Sequence, residues 1–283
     1  MSKLVTDQAD GLRRLLSHTP TRVIAIAGMR RGDGATTAVM NLAAALVHQG
    51  KDVLVLDEHH PDTDSISALW AVDPPGVLAD VAERRLTCAG AAARAGCGVD
   101  VLPAPSAMVH SRIDPRTLCL GGVVLIDAAF DDEGRLSTLA QRADELVLVL
   151  QPNAASVTTA YAGIKRLHYA HGLKQLRFLV NRASSTDEAH TVMGNLANTG
   201  SRYLAVSLEA AGWVRADAHL ADARRLGQTV VEAFPASPAA VDFRRVASDI
   251  GLWPWRMPEP STRERRIARP TAGALRAQWA AVA

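Results

Sequence analysis

The residues from Gly28 to Thr37, GMRRGDGATT, place three glycines, two arginines, an aspartate and two threonines in one short run. Gly28, Gly32 and Gly34 permit tight turning and close approach of the backbone to an anion. Thr36 and Thr37 stand where a helix begins, and the N–H groups and dipole of a helix start favour phosphate. A hydroxyl there can bind Mg²⁺. The same residues also suit a plain strand-to-helix turn with N-capping threonines. Two positions oppose ordinary phosphate chemistry. Ala35 supplies no cation where such loops carry lysine, and Asp33 sets a carboxylate near the phosphates. One lost charge-assisted contact costs about 1.5–3 kcal/mol, roughly 10- to 150-fold in affinity. Arg30 and Arg31 carry the guanidinium that suits phosphate, and their reach decides whether they compensate.

Other polar residues end apolar runs. Asp57-Glu58-His59 follows VLVL, Asp127 ends VVLID, and Asn181 ends FLVN. Asp127 reads either as an acid linked to Mg²⁺ through water or as a cap on the following turn. His59 and His60 are read as an exposed loop pair rather than a metal site.

These residues need a scaffold. Strand-like runs occupy 22–28, 52–57, 98–104, 121–127, 145–151 and 176–182, with a seventh expected at 202–208. They are unbroken rather than alternating, as parallel strands covered on both faces should be. Helical patterns lie between them at 36–49, 76–85, 135–143, 155–171 and 186–197. The alternation predicts a doubly wound, mostly parallel α/β sheet in three layers. Ligands of such sheets bind at the carboxyl ends of the strands. The loops after 27, 57, 127, 151 and 181 therefore form the candidate site.

The chain has 283 residues, 48% hydrophobic and 21% charged, with a formal net charge of +2. That charge implies no global pull toward nucleic acid, and 4% aromatics disfavour base-stacking surfaces. Cys88, Cys97 and Cys119 have no metal-ligand spacing, which predicts a reduced, cytoplasmic chain. The polar N-terminus is unlike a signal peptide, and no apolar run approaches a bilayer span. Three regions are expected: an N-terminal helix at 1–20, a body at 21–250 and an Arg-rich tail at 251–283. In the first, Leu12, Leu15 and Leu16 share one side. In the tail, Leu275, Trp279 and Val282 fall at helical spacing beyond Arg263, Arg265, Arg266 and Arg269. Such a segment could meet anionic lipid, and a flexible tail is the alternative.

The loop resembles the deviant P-loop of the MinD/ParA ATPases, K-G-G-x-G-K-[ST]. The resemblance puts Arg30 at the signature lysine and Arg31 and Gly32 at the two glycines. Asp33 takes the variable position and Gly34 the third glycine. Ala35 falls on the phosphate-binding lysine and Thr36 on the Mg²⁺-binding hydroxyl, with Thr37 beside it. It implies ATP or ADP with Mg²⁺, Asp57 and Asp127 as metal-linked acids, and Asn181 as a base contact. His59 stands where the family has a second acid, and Ala128-Ala129-Phe130-Asp131 replaces T-P-A-G. The tally predicts weak or absent ATP hydrolysis.

DQADGLRRLL at the N-terminus resembles the D-Q-A-x-x-L-R motif of the FlhG/FleN regulators of flagellar number and placement. TTAYAGIKRLHYAH (158–171) and FPASPAAVDFRRVA (234–247) are similar to later segments of that family. The resemblance implies docking on the GTPase FlhF, with Gln8 stimulating GTP hydrolysis and Asp7, Ala9, Leu12 and Arg13 forming the contact. A Gln amide can orient an attacking water, and an apolar helix side can lie in a groove. Flagellar transcription regulators or switch proteins are further implied partners, with a monomer or nucleotide-dependent homodimer as the working state. Three other readings stay open: an active MinD/ParA-type ATPase, a cellulose-secretion relative of the same fold, and a DNA-segregation protein.

Overall fold

In the computed structural model, residues 20–59, 65–105, 113–203 and 206–254 are described. The motif at 7–13, His60 and the tail beyond Pro254 lie outside them. Eight strands form one sheet: β1 (Arg22–Gly28), β2 (Val53–Asp57), β3 (Ala93–Arg94), β4 (Asp100–Pro103), β5 (Val123–Asp127), β6 (Glu145–Leu150), β7 (Gln175–Ala183) and β8 (Ser207–Arg215). Their order is β3-β4-β2-β5-β1-β6-β7-β8. Every pair is parallel except β3 with β4.

Both faces are covered, which explains the unbroken apolar runs. In β1, Ile24 and Ile26 face one core, while Val23, Ala25 and Ala27 face the other. The first core is closed by helix α1 (Ala35–His48) through Val39, Leu42 and Leu46. The C-terminal helix, Pro238–Ile250, adds Phe243, Val246 and Ile250 to it. The second core is closed by α2 (Ala154–His171) through Ile164 and Leu167, and by α3 (Thr186–Tyr203) through Ala189 and Leu196. Helix α4 (His219–Arg225) follows β8, and the C-terminal helix is α5. The fold is the three-layer α/β/α sheet the sequence predicts.

Helix ends follow the local chemistry. Asn153 caps α2 by accepting from Ser156 N at 2.9 Å, and Gly172 closes it with φ 66°. Ser237 caps α5 ahead of Pro238, whose missing N–H costs nothing in a first turn.

Several local expectations need correction. The strand expected at 202–208 lies at Ser207–Arg215, because α3 runs on to Tyr203. β8 is an edge strand carrying Glu209 and Gly212, so it lacks the continuous apolar signature of the inner strands. No α-helix forms at 135–143. Leu136 pairs with Phe130 in an isolated bridge, and only Ala140–Arg142 makes a 3₁₀ turn. The i, i+3 spacing of Leu136 and Leu139 arises there from an irregular segment that buries both. The pattern at 76–85 yields only Leu78–Ala82. β4 falls within the run expected at 98–104, and only its short partner β3, joined through Gly98 at φ 85°, had no sequence signature.

Candidate nucleotide site

The loop after β1 turns at Gly34, which is the N-cap of α1 with φ 95°. Its side chain is absent for a second reason: a Cβ would lie 2.3 Å from Asn181 Nδ2. The capping alternative for the threonines therefore fails. Thr36 and Thr37 sit inside the first turn, half-buried. The first N–H groups of a helix have no partner within it, so they remain available to an anion.

Asp33 is not where the sequence reading put it. Its carboxylate is buried, with 2% exposure, and does not line the cavity over the loop. It accepts from Arg30 N at 2.9 Å and from Ser156 Oγ at 3.0 Å. The neighbouring strands hold the loop carbonyls as well. Asn181 Nδ2 donates to Asp33 O at 2.9 Å, and Gln151 Nε2 to Gly32 O at 2.8 Å. Asp33 thus sets the shape of the loop instead of repelling a ligand. A buried acid satisfied by a backbone N–H and a hydroxyl is structural.

A cavity of about 600 Å³ lies over the loop. Gly28, Gly32 and Gly34 to Thr37 line it, together with Arg30, Arg31, His59, Ala128 to Phe130, Arg182 and Arg224. Among the described residues no Asp or Glu does. A second cavity of about 460 Å³ shares Gly34, Thr37, Leu69, Arg182 and Arg224 with the first. Asn181 lines this second cavity; it is buried, and its Oδ1 accepts no hydrogen bond.

The acids at the strand ends are buried behind this surface. Register places Asp57 beside Asp127. Asp57 accepts from His59 N at 3.0 Å and Ile66 N at 2.8 Å. Burial, and next Asp127, push its carboxyl up to about 6. Asp127 is fully buried and neither carboxylate oxygen accepts a hydrogen bond, so it caps no turn. His59 Nε2 stands 3.6 Å from Asp127 Oδ1. The Asp127 carboxylate pushes His59 up to about 9 against the effect of burial, with Asp57 and Glu58 adding to the rise. The ring is therefore a partly exposed cation at neutral pH, and the reading of His59 and His60 as a pair is left open because His60 lies outside the described residues. Glu58 accepts from Ala129 N at 3.1 Å and from Ser137 Oγ, and burial pushes it up to about 7.

Mg²⁺ takes oxygen ligands and keeps several waters; the Thr36 hydroxyl lines the cavity, and the unbonded Asp127 carboxylate is an oxygen donor fully buried behind it. The His59 cation beside Asp127 works against a metal there. No group of three or more His, Cys, Asp or Glu among the described residues could hold a metal directly.

The chain is 31% identical over 255 residues to the antiactivator FleN of Pseudomonas aeruginosa, an alignment covering 86% of this chain and 91% of that protein. The chain belongs to the FleN (FlhG) family. The cell-division ATPase MinD of Pyrococcus furiosus shares the fold at TM-score 0.65 and 23% identity, covering 82% of this chain and 98% of that one. MinD of Pyrococcus horikoshii, solved with Mg-ADP, superposes at TM-score 0.58 and 20% identity, over 81% and 96% of the two chains. No protein-family model matches the chain.

The tertiary structure adds four residues to this FleN-family site that sequence reading did not single out. Ser156 and Gln151 brace the loop from the start of α2 and the end of β6. Arg182 and Arg224 line both cavities. Asn181-Arg182 was visible as a strand end, but nothing local marked Arg224. No described helix is long and apolar enough to cross a membrane.

Proposed function

We propose that this FleN-family chain regulates flagellar number and placement, and that its N-terminal D-Q-A-x-x-L-R segment stimulates the GTPase FlhF. The observation that carries the reading is the kinship with FleN over 86% of the chain together with that motif. In this reading Gln8 orients the attacking water in the partner's site. Asp7, Ala9, Leu12 and Arg13 position it. A peptide of residues 1–20 should accelerate GTP hydrolysis by the partner, and Gln8→Ala should abolish the acceleration. Failure of the wild-type peptide to accelerate hydrolysis overturns the activator role.

The cavity over the loop and the second cavity that adjoins it are proposed to hold ATP or ADP with Mg²⁺, weakly and with little or no hydrolysis. Arg30, Arg31 and the first turn of α1 face the phosphates, Asn181 meets the base, and Thr36 and Asp127 hold the hydrated metal. When bound, Mg²⁺ would neutralise phosphate charge. The lack of lysine at Ala35 and of an acid at His59 supports slow turnover. The guanidinium-rich lining supports retained binding. The protein is proposed to work in the cytoplasm, with its basic tail at 251–283 making peripheral membrane contact. Calorimetry with ATP and ADP, with oligomeric state read by light scattering, tests the site. No binding at millimolar nucleotide rules it out.

A further inference from the structure

The loop lacks a cation at Ala35, yet the cavity above it is lined by arginines that the loop does not carry. Arg182 is the more informative of these. Between β7 and β8, Asn181 pairs with Val214 and Ala183 with Arg215, which leaves Arg182 without a partner across the ladder. It is therefore the extra residue of a β-bulge. Its φ is 61°, a left-handed conformation that costs a non-glycine residue energy. Its neighbours Asn181 and Ala183 are buried while Arg182 is exposed. Bulges of this kind re-aim a side chain, and they recur beside active sites. Arg224 reaches the same two cavities from α4. The buried, unbonded Oδ1 of Asn181 borders the second cavity, an independent sign that a ligand is expected there.

We propose that Arg182 and Arg224 supply the phosphate-binding charge that Ala35 omits, so that the cavity holds a nucleoside di- or triphosphate from its β7–α4 wall. Two planar forks can share phosphate oxygens bidentately, where a lysine offers one point charge. Among the described residues, no carboxylate lines the first cavity. This rests on the nucleotide part of the proposed function and is independent of the part concerning the partner GTPase.

The test is calorimetric titration of the full chain with ATP and ADP in Mg²⁺. Arg224→Ala and Arg182→Gly should each weaken binding about tenfold, the lower range for loss of a charge-assisted contact. Glycine is chosen at 182 because it removes the guanidinium and relieves the left-handed backbone, so the variant should melt no lower than the parent. In the double variant, Ala35→Lys should restore affinity, because it returns the charge from the loop side. Inorganic tripolyphosphate should compete with ATP for the parent and much less for the double variant. Unchanged affinity in the Arg variants overturns the proposal, and so does failure of Ala35→Lys to raise the affinity of the double variant. A parent that binds no nucleotide also overturns it, while GTPase stimulation by residues 1–20 would still stand or fall on its own assay.

Discussion

The two ends of the sheet are built on different terms. At the amino ends of β1, β6 and β7, opposite charges are paired, although Arg22 Nη1, Glu145 Oε1 and Arg177 Nε lack hydrogen bonds. Arg177 lies 3.3 Å from Glu145 and 2.8 Å from Glu209, and its guanidinium stacks 4.5 Å over the Trp253 ring. Arg22 donates to Trp253 O at 2.7 Å, which fastens the chain after α5 against its first strand. At the carboxyl ends, buried acids crowd one another and the backbone is strained. Asp127 and the Oδ1 of Asn181 accept no hydrogen bond, two acids are pushed up by burial, and Arg182 is left-handed. Buried charge without full pairing lowers stability, and it persists where a ligand completes the arrangement. One end holds the fold together, and the other is shaped for something that binds.

The largest effect should come from breaking the paired end. Arg177→Ala removes the cation 3.3 Å from buried Glu145 and 2.8 Å from Glu209, together with the stack on Trp253. Breaking a buried pair costs about 3–5 kcal/mol. Urea unfolding should show that loss while nucleotide affinity of the folded protein stays unchanged; a loss of affinity of similar size would erase the division between the two ends.

Gly34→Ala should come next. It forces φ 95° on alanine and drives a methyl into Asn181. A cost of about 1–3 kcal/mol is expected from backbone strain alone. Unlike Arg177→Ala, it should also weaken nucleotide binding, because Asn181 must move. Thermal unfolding and calorimetry on the same sample separate the two.

The third test uses pH. Glu58 at about 7 and Asp57 at about 6 have folded values above their unfolded ones. The folded state therefore binds protons more tightly. Their contribution favours folding at low pH and is lost as pH rises from about 4 to 7. His59, raised to about 9, contributes stability that is complete below about 6.5 and lost as pH climbs through 9. All three make the carboxyl end less stable in alkali. Glu58→Gln should flatten the melting curve between pH 5 and 7, and His59→Ala between pH 7 and 9. A parent whose melting temperature is flat across pH 5–9 would contradict these assignments.

Asp127→Asn should have the smallest effect on stability, within about 1 kcal/mol. Relief of its repulsion with Asp57 offsets the lost attraction to His59. Nucleotide binding should lose its Mg²⁺ dependence in that variant. Large destabilisation would make Asp127 a structural residue like Glu145.

Much of this was readable along the chain. The apolar runs of β1, β2, β5, β6 and β7 are local and continuous because both faces of each strand are covered. The loop from Gly28 to Thr37 is likewise contiguous, and so is the motif around Gln8, which relates the chain to FleN. Edge elements were harder to read. β8 is an edge strand with a bulge, so its pattern is broken, and the segment at 135–143 mimics helical spacing with an irregular course.

The sequence by itself determined the fold class, the family and the missing lysine at Ala35, since each depends on residue type at adjacent positions. Tertiary structure decided what the side chains do. Asp33 turned inward because Ser156, 123 positions away, accepts the role of its partner. His59 became a cation because register brings Asp127 beside it. Arg182 and Arg224 reached the loop because a bulge and a later helix converge on one cavity. Hydrogen bonds and electrostatic fields act through space, and spacing along the chain does not encode those distances.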